Sequence, residues 1–343
     1  MSYRIKKRDL RPYVLNWLTV KLELGDSIGE IFYMAEDGTA IYQNLLDNGV
    51  PDDRIYHTLA SAYAATTTRQ NDVILVTTGS YEAGGVTSWA HSNTHLVGLS
   101  GPNVAVPVGV TNPSYYQNVV NSAASGGAYA SVMDVTGEYC QFHGINFQNL
   151  YNSASCLKAV SVAGEGNYFK NCNFVGGSAA TPAATDKSCS LEIGDDAGCS
   201  RFDDCSIGTP HGTARSSAHN GALYFSGIAR RSPRGYFNRC NFHVRVGATT
   251  VSAIRNDGCD RSWVFTDCFF EGFSDNYATA CAEAIHENAF ATTHCFFLRR
   301  CSAVGFTTWC VNQSGYPHYT LTSDPITGTA SGLGVAAEGT VGT

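Results

Sequence analysis

The stretch Phe169-Lys-Asn-Cys172-Asn-Phe174 is the clearest copy of a six-residue pattern that returns along the second half of this chain. Three further copies read Phe202-Asp-Asp-Cys205-Ser-Ile207, Phe237-Asn-Arg-Cys240-Asn-Phe242 and Phe265-Thr-Asp-Cys268-Phe-Phe270. In a regular strand the side chains of residues i and i+3 face opposite sides. The first and fourth positions carry residue types that are usually buried, so both should face the core. The pattern therefore predicts two short strands joined by a bend.

The bend is expected at the third position of the pattern. There the four copies carry Asn171, Asp204, Arg239 and Asp267, and an upstream copy, Phe142-His-Gly-Ile145-Asn-Phe147, carries glycine. Glycine, asparagine and aspartate tolerate a left-handed backbone most easily. Arg239 departs from this rule, as does Arg300 in the degenerate copy Leu298-Arg-Arg-Cys301-Ser-Ala303.

The spacing of the copies predicts a solenoid. Successive copies from Phe142 to Leu298 begin 27, 33, 35, 28 and 33 residues apart, and a second short apolar segment precedes each one. Turns of variable length on a constant unit are typical of stacked coils, whereas propeller blades repeat at about 40–45 residues. We therefore predict an all-β, parallel β-helix whose core contains a ladder of cysteines: Cys172, Cys205, Cys240, Cys268 and Cys301.

Composition agrees with this fold class. The chain has 343 residues, of which 43% are hydrophobic and 15% are charged, and 35 are glycine. An average soluble domain has about 25% charged residues, so too few charges are present to cover many solvated helices. Disorder is disfavoured because apolar and aromatic residues occur throughout, and no run reaches the roughly 18–20 apolar residues of a membrane span.

The thirteen cysteines favour reduced, buried thiols. Their number is odd, no CxxC pair occurs, and no two histidines have metal-ligand spacing on a helix, so we expect no metal and no cofactor. The basic residues at the start are not followed by the apolar core of a signal peptide. The sequence therefore predicts a protein made in a cytoplasm.

Charge is distributed unevenly. Residues 1–22 have a net charge of +5, and the remainder has −12. A short basic arm on an acidic body indicates either a segment that contacts another molecule or a solvated terminus. Nucleic acid is disfavoured because the body is acidic and lacks interleaved basic and aromatic residues. The partner-contact candidates are Arg4, Lys6, Lys7, Arg8, Arg11 and Trp17.

Two stretches, Asn71–Tyr81 and Thr94–Gly101, resemble the opening coils of right-handed parallel β-helices of the pectin-lyase-like superfamily. Arg54–Ala65, with Pro51 and Asp52 before it, resembles the helix that caps the first coil there. The likeness covers residues 50–315 and implies a right-handed, single-stranded parallel β-helix with a short N-terminal segment and a capping helix. We divide the chain into an attachment segment (1–48), a capping region (49–66), the β-helix (67–315) and a tail (316–343).

The superfamily contains enzymes and structural proteins, so fold alone leaves function open. A β-helix behind a separate N-terminal segment resembles virion proteins of tailed bacteriophages. That resemblance implies a homotrimeric spike or decoration protein that docks on other virion proteins of capsid or tail through its arm, with host surface glycans as a further partner and no membrane contact. The alternative is an enzymatic tailspike that depolymerises or deacetylates host polysaccharide. A third hypothesis is a free cytoplasmic carbohydrate-active enzyme.

Catalytic candidates follow from the enzymatic alternative. A glycoside hydrolase needs two carboxyl groups roughly 5–9.5 Å apart, and strands of neighbouring coils lie about 4.8 Å apart. A polysaccharide lyase would need an acidic cluster beside an arginine, which Asp257, Asp260 and Arg261 approach most nearly. Each acid is more simply interpreted as a solvated group, so no catalytic residue is assigned. The candidates are Asp203, Asp267, Glu271 and Glu287.

Overall fold

The fold is taken from a computed structural model, which describes residues 18–20, 22, 28–77, 79–82, 87–99, 119–121, 129–209, 212–226, 235–257, 262–274, 280–287, 295–310, 326–329 and 332–335. The helices with described bounds are α1 (Ala40–Asp47), α2 (Leu59–Ala64) and α3 (Ala180–Ala183), and residues 18–20 and 22 are also helical. A 3-10 turn covers Asp52–Arg54.

Short strands form most of the described regular secondary structure. The first fifteen are β1 (Ile31–Met34), β2 (Ile55–Tyr56), β3 (Asp72–Val76), β4 (Ser80–Glu82), β5 (Thr87–Trp89), β6 (Thr94–Gly98), β7 (Val119–Asn121), β8 (Met133–Val135), β9 (Gln141–His143), β10 (Asn146–Gln148), β11 (Val160–Val162), β12 (Tyr168–Lys170), β13 (Asn173–Val175), β14 (Leu191–Ile193) and β15 (Arg201–Asp203). The others are β16 (Ser206–Thr209), β17 (Leu223–Phe225), β18 (Gly235–Asn238), β19 (Asn241–Arg245), β20 (Ile254–Asn256), β21 (Ser262–Thr266), β22 (Phe269–Phe273), β23 (Cys281–Glu283), β24 (Ile285–Glu287), β25 (Cys295–Arg299), β26 (Ser302–Val304), β27 (Phe306–Thr308), β28 (Ile326–Thr329) and β29 (Gly332–Val335).

Three long parallel sheets run the length of the solenoid. The ten-stranded sheet has the order β2-β1-β3-β6-β9-β12-β15-β18-β21-β25, the eight-stranded sheet β26-β22-β19-β16-β13-β10-β7-β4, and the seven-stranded sheet β24-β20-β17-β14-β11-β8-β5. Each coil contributes one strand to each sheet, so neighbouring strands in a sheet are about one coil apart in sequence. The predicted parallel β-helix is confirmed.

The bend lies between the ten-stranded and eight-stranded sheets. Asn171, Asp204 and Asp267 have φ angles of 54°, 55° and 54°, and Arg239 and Arg300 both have 52°. The arginines therefore adopt the same left-handed conformation as the residues that favour it. They also bridge coils, because Arg239 pairs with Asp204 and Arg300 with Asp267.

The core is built from ladders that follow from the repeat. Five phenylalanine rings stack along the axis, with centroid separations of 4.5, 4.8, 4.6 and 5.0 Å. Each thiol of the cysteine ladder donates to the carbonyl of a phenylalanine one coil earlier, at 3.3 to 3.6 Å. Burial raises the pKa of Cys205 and of Cys268, which keeps these thiols protonated as donors. The rings are Phe142, Phe169, Phe202, Phe237 and Phe265.

A second hydrophobic cluster lies on the outer side of the ten-stranded sheet, at its N-terminal end. Leu18 and Leu22 are buried there with Leu75 and Val97, and α1 packs against it. The Gln141 side chain ties this segment to the sheet by donating to the Leu22 carbonyl at 2.7 Å. The ten-stranded sheet thus includes β1, which lies within the segment 1–48 that sequence set apart.

The helix before the first coil is shorter than the sequence indicated. Arg54–Ala65 had helical periodicity, but α2 begins only at Leu59, with Thr58 as its N-cap. Ile55 and Tyr56 instead pair with β1, because the open edge of the ten-stranded sheet offers backbone partners there. Pro51 and Asp52 open the 3-10 turn rather than a long helix.

Among the described residues, no helix is both long enough and apolar enough to cross a membrane.

Near the C-terminus, β28 and β29 pair antiparallel as a hairpin. Trp89, Trp263 and Trp309 are buried in the core, so they serve packing rather than an exposed sugar platform.

Candidate functional site

The outward face of the seven-stranded sheet carries one polar side chain per coil. Register places Asp134 beside Ser161, Ser161 beside Glu192, Glu192 beside Tyr224, Tyr224 beside Arg255, and Arg255 beside His286. The alternate positions of these strands face the core, mostly with apolar side chains; Asn256 is a buried polar exception. We call these six outward side chains the polar row.

The first half of the polar row is partly open to solvent. Glu192 forms an ion pair with Lys158 and accepts from the Ser161 hydroxyl at 3.3 Å. The Asp134 carboxylate accepts from Ser131 at 2.5 Å. This half offers carboxylate and hydroxyl oxygens at successive coils.

The second half is largely buried and is organised by Arg255. Its guanidinium contacts Asp257 at 2.8 Å and Asp186, from the turn before β14, at 2.6 Å. Burial alone would lower the pKa of Arg255, but its bonds to Asp257 and Asp186 raise it. The Tyr224 hydroxyl donates to Asp257 at 3.2 Å, and burial followed by the charge of Asp257 raises the pKa of Tyr224.

The ten-stranded sheet holds a matching triad. The Tyr168 hydroxyl donates to Asp203 at 2.9 Å, and Arg201 binds the same carboxylate while lying 5.4 Å over the tyrosine ring. Arg255 lies 5.5 Å over Tyr224 in the same way. A Tyr–Arg–Asp triad is therefore a device that joins neighbouring coils, and it does not by itself mark a site.

Asp203 illustrates this structural role. Burial would raise its pKa, but donors from Arg201, Asn238 and Tyr168 keep it below the usual value. A buried carboxylate that accepts from three side chains has no free oxygen to serve as a general acid. The sequence candidate Asp203 is thus placed within a coil-joining network.

The polar row has a feature that the Asp203 network lacks. His286, the last member of the row, lies close to His219 and Glu283. One ligand atom from each of these residues lies within 4.8 Å of those of the other two. Nδ1 of His286 lies 2.5 Å from Oε1 of Glu283, and the rings of His219 and His286 stack with centroids 3.3 Å apart. Burial and then the His286 charge lower the pKa of His219. We call these three residues the acid–imidazole cluster.

Sequence reasoning missed the acid–imidazole cluster. His219 lies 64 residues before Glu283, and local spacing carries no signal across two coils. Sequence analysis grouped Asp257 with Asp260 and Arg261, and of these only Asp257 lies within the described residues. The expectation of no metal site rested on the absence of CxxC pairs and of helical histidine spacing, and neither pattern detects ligands that different coils of a solenoid bring together.

The remaining sequence candidates lie apart from one another. Asp267 is at the bend, paired with Arg300, and Glu271 is on the eight-stranded sheet, 2.8 Å from His243. Glu287 is in β24, in register with Asn256, and its side chain is outside the described residues. The arm candidates Arg4, Lys6, Lys7, Arg8, Arg11 and Trp17 also lie outside them.

Comparison with solved structures finds pectin-processing proteins of the same architecture. A pectin methylesterase from Erwinia chrysanthemi aligns with a TM-score of 0.52 and 16% identity, over 82% of this chain and 81% of its own. A carrot pectin methylesterase gives a TM-score of 0.53 and 12% identity, over 88% and 84%. A pectin methylesterase in complex with a hexasaccharide gives 0.53 and 16%, over 81% and 80%.

No protein-family model matches the sequence, and no curated protein matches it significantly. At 12 to 16% identity the structural likeness establishes the parallel β-helix fold and nothing finer. Function must therefore be argued from the residues of this chain.

Proposed function

We propose that this protein binds a polysaccharide along the polar row. The observation that carries the proposal is the register of Asp134, Ser161 and Glu192, the partly open half of the row, on consecutive strands. Strand spacing of about 4.8 Å repeats these groups along the solenoid axis, which suits a linear polymer of repeating units. The pectin methylesterases that share the fold are named for a polysaccharide, and one was solved with a hexasaccharide.

The charge of this face indicates which polysaccharide fits. Among the described residues in and around the row, five carboxylates lie beside two cations that form ion pairs with them, Lys158 and Arg255. A polyuronate would meet net repulsion there, whereas neutral sugar hydroxyls can donate to carboxylate oxygens. The substrate class we propose is thus a neutral, hydroxyl-rich polysaccharide. The carboxylates are Asp134, Asp186, Glu192, Asp257 and Glu283.

Affinity electrophoresis in gels that contain dextran, galactomannan or polygalacturonate tests the proposal. We expect a neutral polymer to retard the wild-type protein and polygalacturonate to leave its migration unchanged. Glu192→Ala removes a central acceptor and should weaken binding about tenfold, as expected for hydrogen bonds to a charged group.

Glu271→Ala is the matched control. Glu271 is also a strand carboxylate held by one basic side chain of a neighbouring coil, but it lies on the eight-stranded sheet. It should retain wild-type affinity. Equal losses in the two variants, or no retardation by any neutral polymer, would contradict binding along the polar row.

A catalytic form of this proposal rests on Asp134 and Glu192. These carboxylates flank Ser161 two strands apart, so their backbones are separated by roughly 9–10 Å. The two carboxyl groups of an inverting glycoside hydrolase lie roughly 6.5–9.5 Å apart, and the backbone separation is near the upper end of that range. Chain-length analysis of the bound polysaccharide distinguishes the two. Shortened chains that disappear with Glu192→Gln identify a hydrolase, and unchanged chains identify a binding protein.

The virion role stays a prediction. It depends on the basic residues at positions 4–11 of the arm, which lie outside the described residues, and on resemblance to phage proteins. Light scattering should give three times the chain mass of 36.7 kDa if the homotrimer forms. Replacing the five arm residues Arg4, Lys6, Lys7, Arg8 and Arg11 with glutamine should then abolish co-sedimentation with virion particles while leaving polysaccharide binding intact.

A further inference from the structure

We propose that His219, Glu283 and His286 form a binding site for one divalent transition-metal ion of the kind that zinc represents. This site is separate from the polysaccharide contacts of the open half of the polar row. The metal proposal depends on three side chains from two coils that lie close together, and not on which polysaccharide binds the open half of the row.

The fold brings Glu283 and His286 to one side of the chain. Residues i and i+3 of a regular strand would face opposite ways. Glu283 ends β23, however, and His286 lies in β24, and these two strands belong to different sheets, so the chain bends at Ala284. The result is the 2.5 Å contact between the imidazole of His286 and the carboxylate of Glu283.

The third ligand comes from the turn before β17. His219 has a φ of 59°, and its backbone is held by an N–H donated to the Thr250 carbonyl at 2.7 Å. The Ser252 hydroxyl donates to the His219 carbonyl at 3.4 Å. These bonds anchor the turn so that the His219 ring rests on that of His286.

The donor set and its spacing match the chemistry of such an ion. Two imidazoles and one carboxylate are the protein ligands of several catalytic zinc sites, which keep a fourth position open. Zinc binds these atoms at about 2.0–2.2 Å, so ligand atoms within 4.8 Å of one another are close enough to share one ion once the His219 ring turns out of its stack on His286. Glu283 and His286 are buried while His219 is partly exposed, which leaves one side for entry.

The surrounding charge also favours a divalent cation. Arg255 contributes one positive charge, and Asp186, Asp257 and Glu283 contribute three negative ones. The Asp186 side chain is 63% exposed, so Arg255 leaves an excess of one negative charge among the largely buried groups. A buried charge is costly unless it is compensated, and a bound cation would compensate it.

Metal binding by the full chain tests the proposal directly. Protein treated with a chelator and then dialysed against zinc should retain about one ion per chain. Cobalt in its place should give visible absorption of a four- or five-coordinate site without the thiolate charge-transfer band that cysteine ligands would produce. His219→Ala, His286→Ala and Glu283→Gln should each weaken zinc affinity at least tenfold.

His243→Ala is the matched control, since His243 forms a His–Glu pair with Glu271 at 2.8 Å but is not part of the cluster. It should retain wild-type zinc affinity. The proposal is overturned if the wild-type protein retains no zinc, if cobalt shows thiolate ligation, or if His243→Ala loses as much affinity as His219→Ala. Polysaccharide retardation measured on the same samples reports separately on the proposed function.

Discussion

His95 shows how a single residue couples this fold to pH. Its ring is buried in the ten-stranded sheet, where Nδ1 accepts from the backbone N–H of Gln141 at 3.1 Å. Nε2 lies 3.3 Å from the Asn71 side-chain oxygen and carries the proton. Burial lowers the pKa of His95 to about 4. Protonation at Nδ1 would also break the bond to Gln141, because the Nδ1–H and the backbone N–H of Gln141 are both donors.

This geometry predicts acid sensitivity. The folded-state pKa lies below the unfolded value of about 6.5, so the unfolded chain takes up the proton more readily. Stability is therefore complete above pH 6.5 and falls as pH drops towards 4, by roughly 3 kcal/mol from this group. His95→Gln keeps an acceptor for Gln141 and should flatten that fall. Thermal midpoints at pH 7 and pH 5 measure it, and equal pH dependence in both proteins would disprove the assignment.

At the scale of the element, the bend between two sheets is the unit that the sequence repeats. Asparagine and aspartate at its centre were expected from their tolerance of positive φ, whereas arginine was not. Arg239 and Arg300 carry the same backbone conformation and offset its cost through ion pairs to acids one coil away. Exposed ion pairs add little net stability, so the cost of the left-handed backbone should still be measurable at these positions.

Substitution at Arg239 separates the two terms. Arg239→Ala and Arg239→Gly both lose the pair with Asp204, but only glycine adopts a φ of 52° without strain. We expect the glycine variant to be more stable than the alanine variant by about 1 kcal/mol. Thermal unfolding of the two variants gives the comparison. A more stable alanine variant would show that the bend does not demand a left-handed residue.

For the whole molecule, the described residues form two hydrophobic clusters on opposite sides of one sheet. The interior of the solenoid contains Ile74, and the second cluster, outside the sheet, contains its neighbour Leu75. In a solenoid each coil contacts only its neighbours, so local openings need not spread along the axis.

These adjacent residues give a matched pair of truncations. Each alanine variant should cost about 2–5 kcal/mol, since both side chains are fully buried. Ile74→Ala should raise hydrogen exchange in β6 and β9, while Leu75→Ala should raise it mainly in residues 28–56. Identical exchange patterns would mean that the two clusters unfold as one unit.

The sequence alone determined the coil of this protein. Apolar side chains at the first, fourth and sixth positions, with a left-handed residue between them, are local requirements, so they identified the bend, the stacked phenylalanines and the buried cysteines. The local pattern predicted too long a helix at Arg54–Ala65, because it does not show that Ile55 and Tyr56 pair with β1 at the edge of a sheet.

Only the tertiary structure decided which polar groups meet. Asp203 became part of a coil-joining network, and Asp267 and Glu271 were placed on other faces of the solenoid. His219 was brought to Glu283 and His286 across more than sixty residues. Register between coils depends on the lengths of the intervening turns. Those lengths vary freely here, so no local pattern could have assembled the polar row or the acid–imidazole cluster.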